Sequence, residues 1–127
     1  MKNYTSNEFL KIAEYDEELN VYFVEADGED IKITVSKGDG YHNYGMRGNG
    51  SGSITVKGDG EGSAYRCGSG KGSAFRDDSG NGDAYRDGSG DGSAYRYGPG
   101  KGSAYRIGSG IGWAFKDGIE IKMKNTK

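Results

Sequence analysis

The chain has 127 residues, with 17 basic against 19 acidic side chains, 25 glycines and only 32% apolar residues. So few apolar side chains exclude a conventional core of Leu, Ile and Phe, and the length suits one domain or two very small ones. A single cysteine excludes an internal disulfide and fits a reducing compartment, no apolar run approaches the ~18 residues of a membrane span, and no signal peptide is expected at Met1-Lys2-Asn3-Tyr4.

Residues 1–37 carry four basic and nine acidic side chains and no repeat. They read as a small cap. Thr5-Ser6-Asn7-Glu8 fits a capping box ahead of Phe9, Leu10, Ile12 and Ala13, which predicts a short helix. Val21-Tyr22-Phe23-Val24 and Ile31-Lys32-Ile33-Thr34-Val35 predict two strands, joined as a β-hairpin by a turn around Asp27-Gly28.

From residue 38 to 118 the sequence repeats every ten residues, and all glycines but Gly28 fall there. The clearest units are GDGEGSAYRC (58–67), GSGKGSAFRD (68–77), DSGNGDAYRD (78–87), GSGDGSAYRY (88–97), GPGKGSAYRI (98–107) and GSGIGWAFKD (108–117). GNGSGSITVK (48–57) keeps the frame with a different second half, and GDGYHNYGMR (38–47) is a degenerate first unit. A fixed short period of this kind is the signature of a repeat architecture. Residues 119–127 follow, with Ile119, Ile121 and Met123 alternating with Glu120, Lys122 and Lys124, which predicts a closing strand with one apolar face.

The columns of the repeat assign the faces. The seventh column is Ala in all six close copies, the eighth is aromatic and the ninth is cationic, whereas the fourth and tenth accept almost anything. Strand alternation puts Gly, Ala and Arg on one side and the aromatic column on the other. In unit 48–57, Ile54 stands at the Ala column and Val56 at the Arg column, so the Gly/Ala side faces inward. The rings face out, and the arginines are expected at an edge, with covered stems and free head groups. An interior of Gly and Ala permits a very thin fold. The expected architecture is all-β: a slim, flattened β-solenoid of ten-residue coils stacked at ~4.8 Å, with a small N-terminal α+β cap and a C-terminal capping strand. Its parts are 1–37, 38–118 and 119–127.

The sequence offers little chemistry. The aspartates Asp59, Asp78, Asp83 and Asp91 fall in different columns, so no calcium ladder is expected. One Cys and one His exclude a zinc site. Strings such as GDGEG arise from the repeat and precede no helix, so they are not phosphate loops. His42 has no evident nucleophile partner, and Cys67 lies in a variable column. Neither a catalytic residue nor a cofactor is expected.

The candidate binding surface is the ladder of rings and cations: Tyr65, Arg66, Phe75, Arg76, Tyr85, Arg86, Tyr95, Arg96, Tyr105 and Arg106. Rings interleaved with cations are the equipment of single-strand nucleic-acid binders, but a net charge of −2 counts against nucleic acid, which is left as the weaker option beside a host protein or ribonucleoprotein. Stacking on rings or pairing with Asp77, Asp83 and Asp87 is the structural reading of the same arginines. Tyr97, Ile107, Ile111 and Trp113 place large apolar side chains on exposed columns near the end of the rod, which predicts a homodimer through the C-terminal coils.

The GSGDGSAYR-type decads of residues 58–117 resemble glycine-rich decapeptide repeats of small bacteriophage and prophage proteins. That resemblance implies a small phage-type protein acting in the host cytoplasm by binding a host factor, as anti-CRISPR and other anti-defence proteins do. In architecture the chain is similar to the ten-residue-coil midge antifreeze solenoid. The matching row would be Tyr65, Tyr85, Tyr95 and Tyr105, interrupted by Phe75 and Phe115. This second resemblance implies ice binding or a purely structural role as the alternative.

Overall fold

Each decad holds one strand-forming segment and one glycine-rich corner, so each makes one pass along the molecule and one turn. The computed structural model describes residues 1–117 and 119–121. In chain order the elements are β1 (Lys2–Thr5), α1 (Ser6–Ile12), β2 (Glu14–Asp16), β3 (Val21–Glu25), β4 (Ile31–Thr34), β5 (His42–Arg47), β6 (Ile54–Lys57) and β7 (Gly62–Cys67). There follow β8 (Ala74–Asp77), β9 (Ala84–Asp87), β10 (Ala94–Arg96), β11 (Ala104–Ile107), β12 (Ala114–Lys116) and β13 (Ile119–Ile121).

From β3 to β12 successive strands alternate between two sheets. Sheet A runs β1-β4-β6-β8-β10-β12-β13 and sheet B runs β11-β9-β7-β5-β3-β2. Pairing within the repeats is parallel, with Ile54 beside Ala74 and Ala94 beside Ala114 in sheet A, and Ala64 beside Ala84 beside Ala104 in sheet B. The protein is therefore a β-solenoid, as the columns predict. The coil, however, takes twenty residues rather than ten. A closed coil needs two passes and two corners, and each decad supplies one of each.

The faces follow strand alternation. Every Ala of the seventh column is buried, and the eighth-column rings are half-buried on the outside. Glycine is required where successive corners touch. A Cβ on Gly72 would lie 1.8 Å from the Gly52 carbonyl oxygen and 2.7 Å from Arg66 Nε, so a side chain there would force the coils apart. At the first column the corner enters the left-handed region. Gly88 has φ +115°, and Asp78, the one departure from glycine among the six close copies, is held at φ +78°.

The helix forms as expected: Thr5 Oγ1 accepts from the Glu8 amide at 3.2 Å and Glu8 Oε1 accepts from the Thr5 amide at 2.9 Å. Phe9 is fully buried against the first coils, and Ser6 Oγ meets Tyr44 Oη at 2.6 Å. The two strands at 21–35 do not form the expected hairpin. β3 pairs with β2 and β5 in sheet B, whereas β4 pairs with β1 and β6 in sheet A. Asp27-Gly28 is thus a corner of the first coil, tied down by the Gly28 amide donating to Ser51 O at 2.8 Å. Alternating apolar residues around a Gly-containing turn look the same whether the strands pair or stack as layers.

At the other end β13 pairs antiparallel with β12 and closes sheet A. This supports the expected capping strand over 119–121; Lys122, Met123 and Lys124 lie outside the described residues.

Candidate functional site

The ninth-column arginines point inward. Arg66, Arg76, Arg86 and Arg96 are fully buried and Arg106 nearly so, which corrects the expectation of free head groups at an edge. The long side chain reaches from its strand into the corner and fills it. Arg86 is representative: Nε donates to Gly72 O at 2.7 Å and Nη2 to Gly70 O at 2.7 Å, while Nη1 donates to Asp87 O at 2.7 Å and Arg66 O at 3.1 Å. The same pattern links Arg66 to Gly50 and Gly52, Arg76 to Gly60 and Gly62, Arg96 to Gly80 and Gly82, and Arg106 to Gly90 and Gly92. Each guanidinium therefore laces the corner of one coil to that of the coil before it.

None of these five arginines makes a described ion pair. Burying an unpaired charge costs several kcal/mol, and here carbonyl dipoles offset the lost hydration. Burial, followed by the neighbouring arginines of the same row, lowers the Arg86 pKa to about 10, and burial first, then Arg96, does the same for Arg76. Both stay charged at neutral pH. Because twenty residues make a coil, the single cationic row splits into Arg66, Arg86 and Arg106 along one corner line and Arg76 and Arg96 along the other. With their N–H groups spent on backbone carbonyls, these arginines hold the fold together and form no part of the outer surface.

The rings divide likewise. Tyr65, Tyr85 and Tyr105 stack on the outer face of sheet B, with centroids 4.4 and 4.8 Å apart. Phe75, Tyr95 and Phe115 stack on sheet A at 4.7 and 5.2 Å. Ring planes within both columns stay within 16° of parallel. The inner rings therefore have both faces covered by neighbours and offer solvent only their edges. Burial, then the neighbouring Tyr65 and Asp83, raises the Tyr85 phenol pKa, and burial pushes Tyr65 up to about 12.

A third ladder has no counterpart in the sequence reading. Sixth-column side chains accept from the amide one coil on: Ser93 N donates to Ser73 Oγ at 3.0 Å, Trp113 N to Ser93 Oγ at 3.0 Å, and Ser103 N to Asp83 Oδ1 at 2.8 Å. Trp113 and Ile111 then occupy columns that supplied acceptors below them, Ser93 and Asp91. Neither can pass the ladder on, so it stops at the last coil.

The four apolar residues expected to cluster at the C-terminal end are spread over the rod's surfaces. Tyr97 and Trp113 lie on the sheet A side, Ile107 on β11 of sheet B, and Ile111 on the corner between. Tyr97, Ile111 and Trp113 are 37%, 67% and 52% exposed, so they remain surface groups. His42 sits in β5 with its ring edge-on to Tyr22 and Tyr44, a packing role. Cys67 is half-buried, and burial raises its thiol pKa to about 11, which keeps it a poor nucleophile. Among the described residues no group of His, Cys, Asp and Glu is placed to hold a metal ion, and no helix is long and apolar enough to cross a membrane. A shallow recess of about 550 Å³ follows one corner line, bordered by Lys37, Asp59, Glu61, Ser79 and Asn81. Comparison with known protein families, with curated proteins and with solved structures gave no match.

Proposed function

We propose that the protein is a non-catalytic binding protein, encoded by a phage or other mobile element, that presents a rigid solenoid face to a host macromolecule and blocks a host defence complex in the cytoplasm. The observation that carries this reading is the outer face of sheet B. There Tyr65, Tyr85 and Tyr105 form a fixed column of half-exposed, mutually stacked phenols on a strand row whose next residues, Arg66, Arg86 and Arg106, are buried on the inner side. Tyrosine combines a large contact area with little conformational freedom to lose, which suits a protein interface. The partner is a protein or ribonucleoprotein. Free nucleic acid is disfavoured, because base stacking needs open ring faces and exposed cations, and here the middle ring, Tyr85, has both faces covered and the arginines are buried.

Photo-crosslinking tests it. With a benzophenone amino acid in place of Tyr85, one discrete adduct should form in host lysate, and Tyr105→Ser at the neighbouring ring should abolish it. Failure to crosslink from this face would overturn the reading. The regular spacing of the ring columns also supports the ice-binding alternative. A freezing-point hysteresis of the purified protein that Tyr85→Ser removes would select it instead.

A further inference from the structure

The two outer faces are built from the same repeat but are not alike. On sheet B the three column rings are tyrosines, flanked by Ser63, Asp83 and Ser103 on one side and by Cys67, Asp87 and Ile107 on the other. On sheet A the column is Phe75, Tyr95 and Phe115, with Tyr97 stacked 5.9 Å from Tyr95 on one side and Trp113 half-exposed on the other. Five aromatic side chains, three without a hydroxyl, thus lie on one side of a short stretch of sheet. A contiguous apolar patch of that kind marks an interaction site.

Ring geometry restricts what can cover it. Sugars and nucleobases pack on aromatic faces, and both faces of Tyr95 are occupied by Phe75 and Phe115, at 4.7 and 5.2 Å with planes 6° and 10° from parallel. Around Tyr95 the exposed surface is a set of ribs, made of ring edges repeating at the coil spacing, with the exposed Trp113 at its end. A surface that fits ribs of fixed period has ribs of the same period. A second copy of this chain carries one.

The charges agree with such a pairing. Beside the rings, the tenth column of sheet A runs Lys57, Asp77, Tyr97, Asp117. Asp77, Tyr97 and Asp117 are kept in line by the Tyr97 amide donating to Arg76 O at 2.9 Å and the Asp117 amide to Arg96 O at 2.8 Å. Turning the face over about a dyad parallel to the strands, midway between β8 and β10, puts β6 opposite β12 of the second copy and β8 opposite its β10. Lys57 then faces Asp117 of the second copy, and Asp77 faces its Tyr97. Each contact occurs twice by symmetry, as an isologous interface requires. The same inversion lays Phe75 against Tyr95 of the second copy.

We infer that the protein is a two-fold dimer joined through the outer face of sheet A, centred on Phe75 and Tyr95 and registered by Lys57 and Asp117. This interface uses the face opposite the Tyr65–Tyr85–Tyr105 column and does not depend on the function proposed for that column. It would leave both copies of that column facing outward.

Sedimentation equilibrium is the test, with circular dichroism to confirm that each variant is folded. The wild-type chain should have twice its monomer mass of 13.6 kDa at micromolar concentration. Phe75→Ser and Lys57→Glu should each weaken association by about tenfold or more, the scale of a lost interface contact. Lys57→Glu combined with Asp117→Lys should recover part of that loss. The control Asp87→Lys, on sheet B, should leave the mass unchanged. A mass of 13.6 kDa at every concentration up to ~1 mM, too weak for a specific dimer, overturns the proposal. So does a dimer that Lys57→Glu leaves intact or that Asp87→Lys dissociates.

Discussion

The first coils and the later coils solve the same packing problem with different chemistry. One inward column reads Val24, Met46, Arg66, Arg86, Arg106, and its counterpart on the other sheet reads Ile33, Val56, Arg76, Arg96, Lys116. The second inward column of sheet A passes from Ile31 and Ile54 to Ala74, Ala94 and Ala114. Where the chain has Ile, Val and Met, the interior is an ordinary apolar core under Phe9. Where it has only Gly and Ala, the arginine stem supplies the missing apolar volume, and its head satisfies corner carbonyls that no apolar side chain could. A chain with 32% apolar residues can thus close a core if each buried cation meets enough carbonyls.

The comparison breaks most sharply at matched positions of one column. Arg86→Met should cost several kcal/mol, because the carbonyls of Gly70 and Gly72 each lose their guanidinium donor at about 1–3 kcal/mol apiece. Met46→Leu, at the equivalent position two coils earlier, should cost less than about 1.5 kcal/mol. Urea denaturation of the two variants measures the gap, and equal midpoints would show that the arginines do not organise the later coils.

Next in size is overpacking. Ala84→Val inserts two methyl groups into a fully buried column and should cost about 1–3 kcal/mol. Asp91→Val, on the exposed corner, removes only the acceptor of the Ile111 amide and should cost less, about 0.5–1.5 kcal/mol. Thermal melts that fail to separate them would contradict the inward assignment of the Ala column. Ser73→Ala probes the hydroxyl ladder, removing the acceptor of the Ser93 amide. It should lower stability by about 0.5–1.5 kcal/mol, read from the same melts.

The smallest effect is one of pH. Burial makes the folded chain hold the Tyr85 phenol proton more tightly than the unfolded chain does. That contribution is fully present below the ordinary phenol pKa of ~10 and is lost as pH rises above it. Tyr85→Phe removes the titrating group, so relative to wild type the variant should gain stability above pH ~10 and show no such trend below it. Parallel pH–stability curves through pH ~12 would rule out the raised phenol pKa of Tyr85.

Much of the architecture is legible in the sequence because the repeat compares itself. Six copies showing Ala, an aromatic and a cation in adjacent columns fix the parity of the strand, and Ile54 in the Ala column fixes which side is inside. The period alone misleads on coil length: it suggests ten residues, but GSGxGSAYRx supplies one corner and a closed coil needs two, so the coil takes twenty. The arginines were harder. Val56 in the cationic column placed that column inside, but the usual solvation of guanidinium argued for an edge. What decides the matter is the set of Gly carbonyls gathered at each corner, visible only once coils stack. The same stacking divides one ladder of six rings into two columns of three on opposite faces. The hydroxyl ladder left only the recurrence of Ser, with Asp83 as its one acidic substitute in the six close copies.

The exchange of arginine side-chain N–H groups with solvent, followed by NMR, tests the buried ladders most directly. Arg66, Arg76, Arg86, Arg96 and Arg106 should show slowly exchanging Nε–H signals, with Arg86 Nε coupled through its hydrogen bond to the Gly72 carbonyl carbon. Arg47, a partly exposed residue that pairs with Asp16 on the surface, should exchange quickly. Five signals that exchange as fast as that of Arg47 would contradict the account.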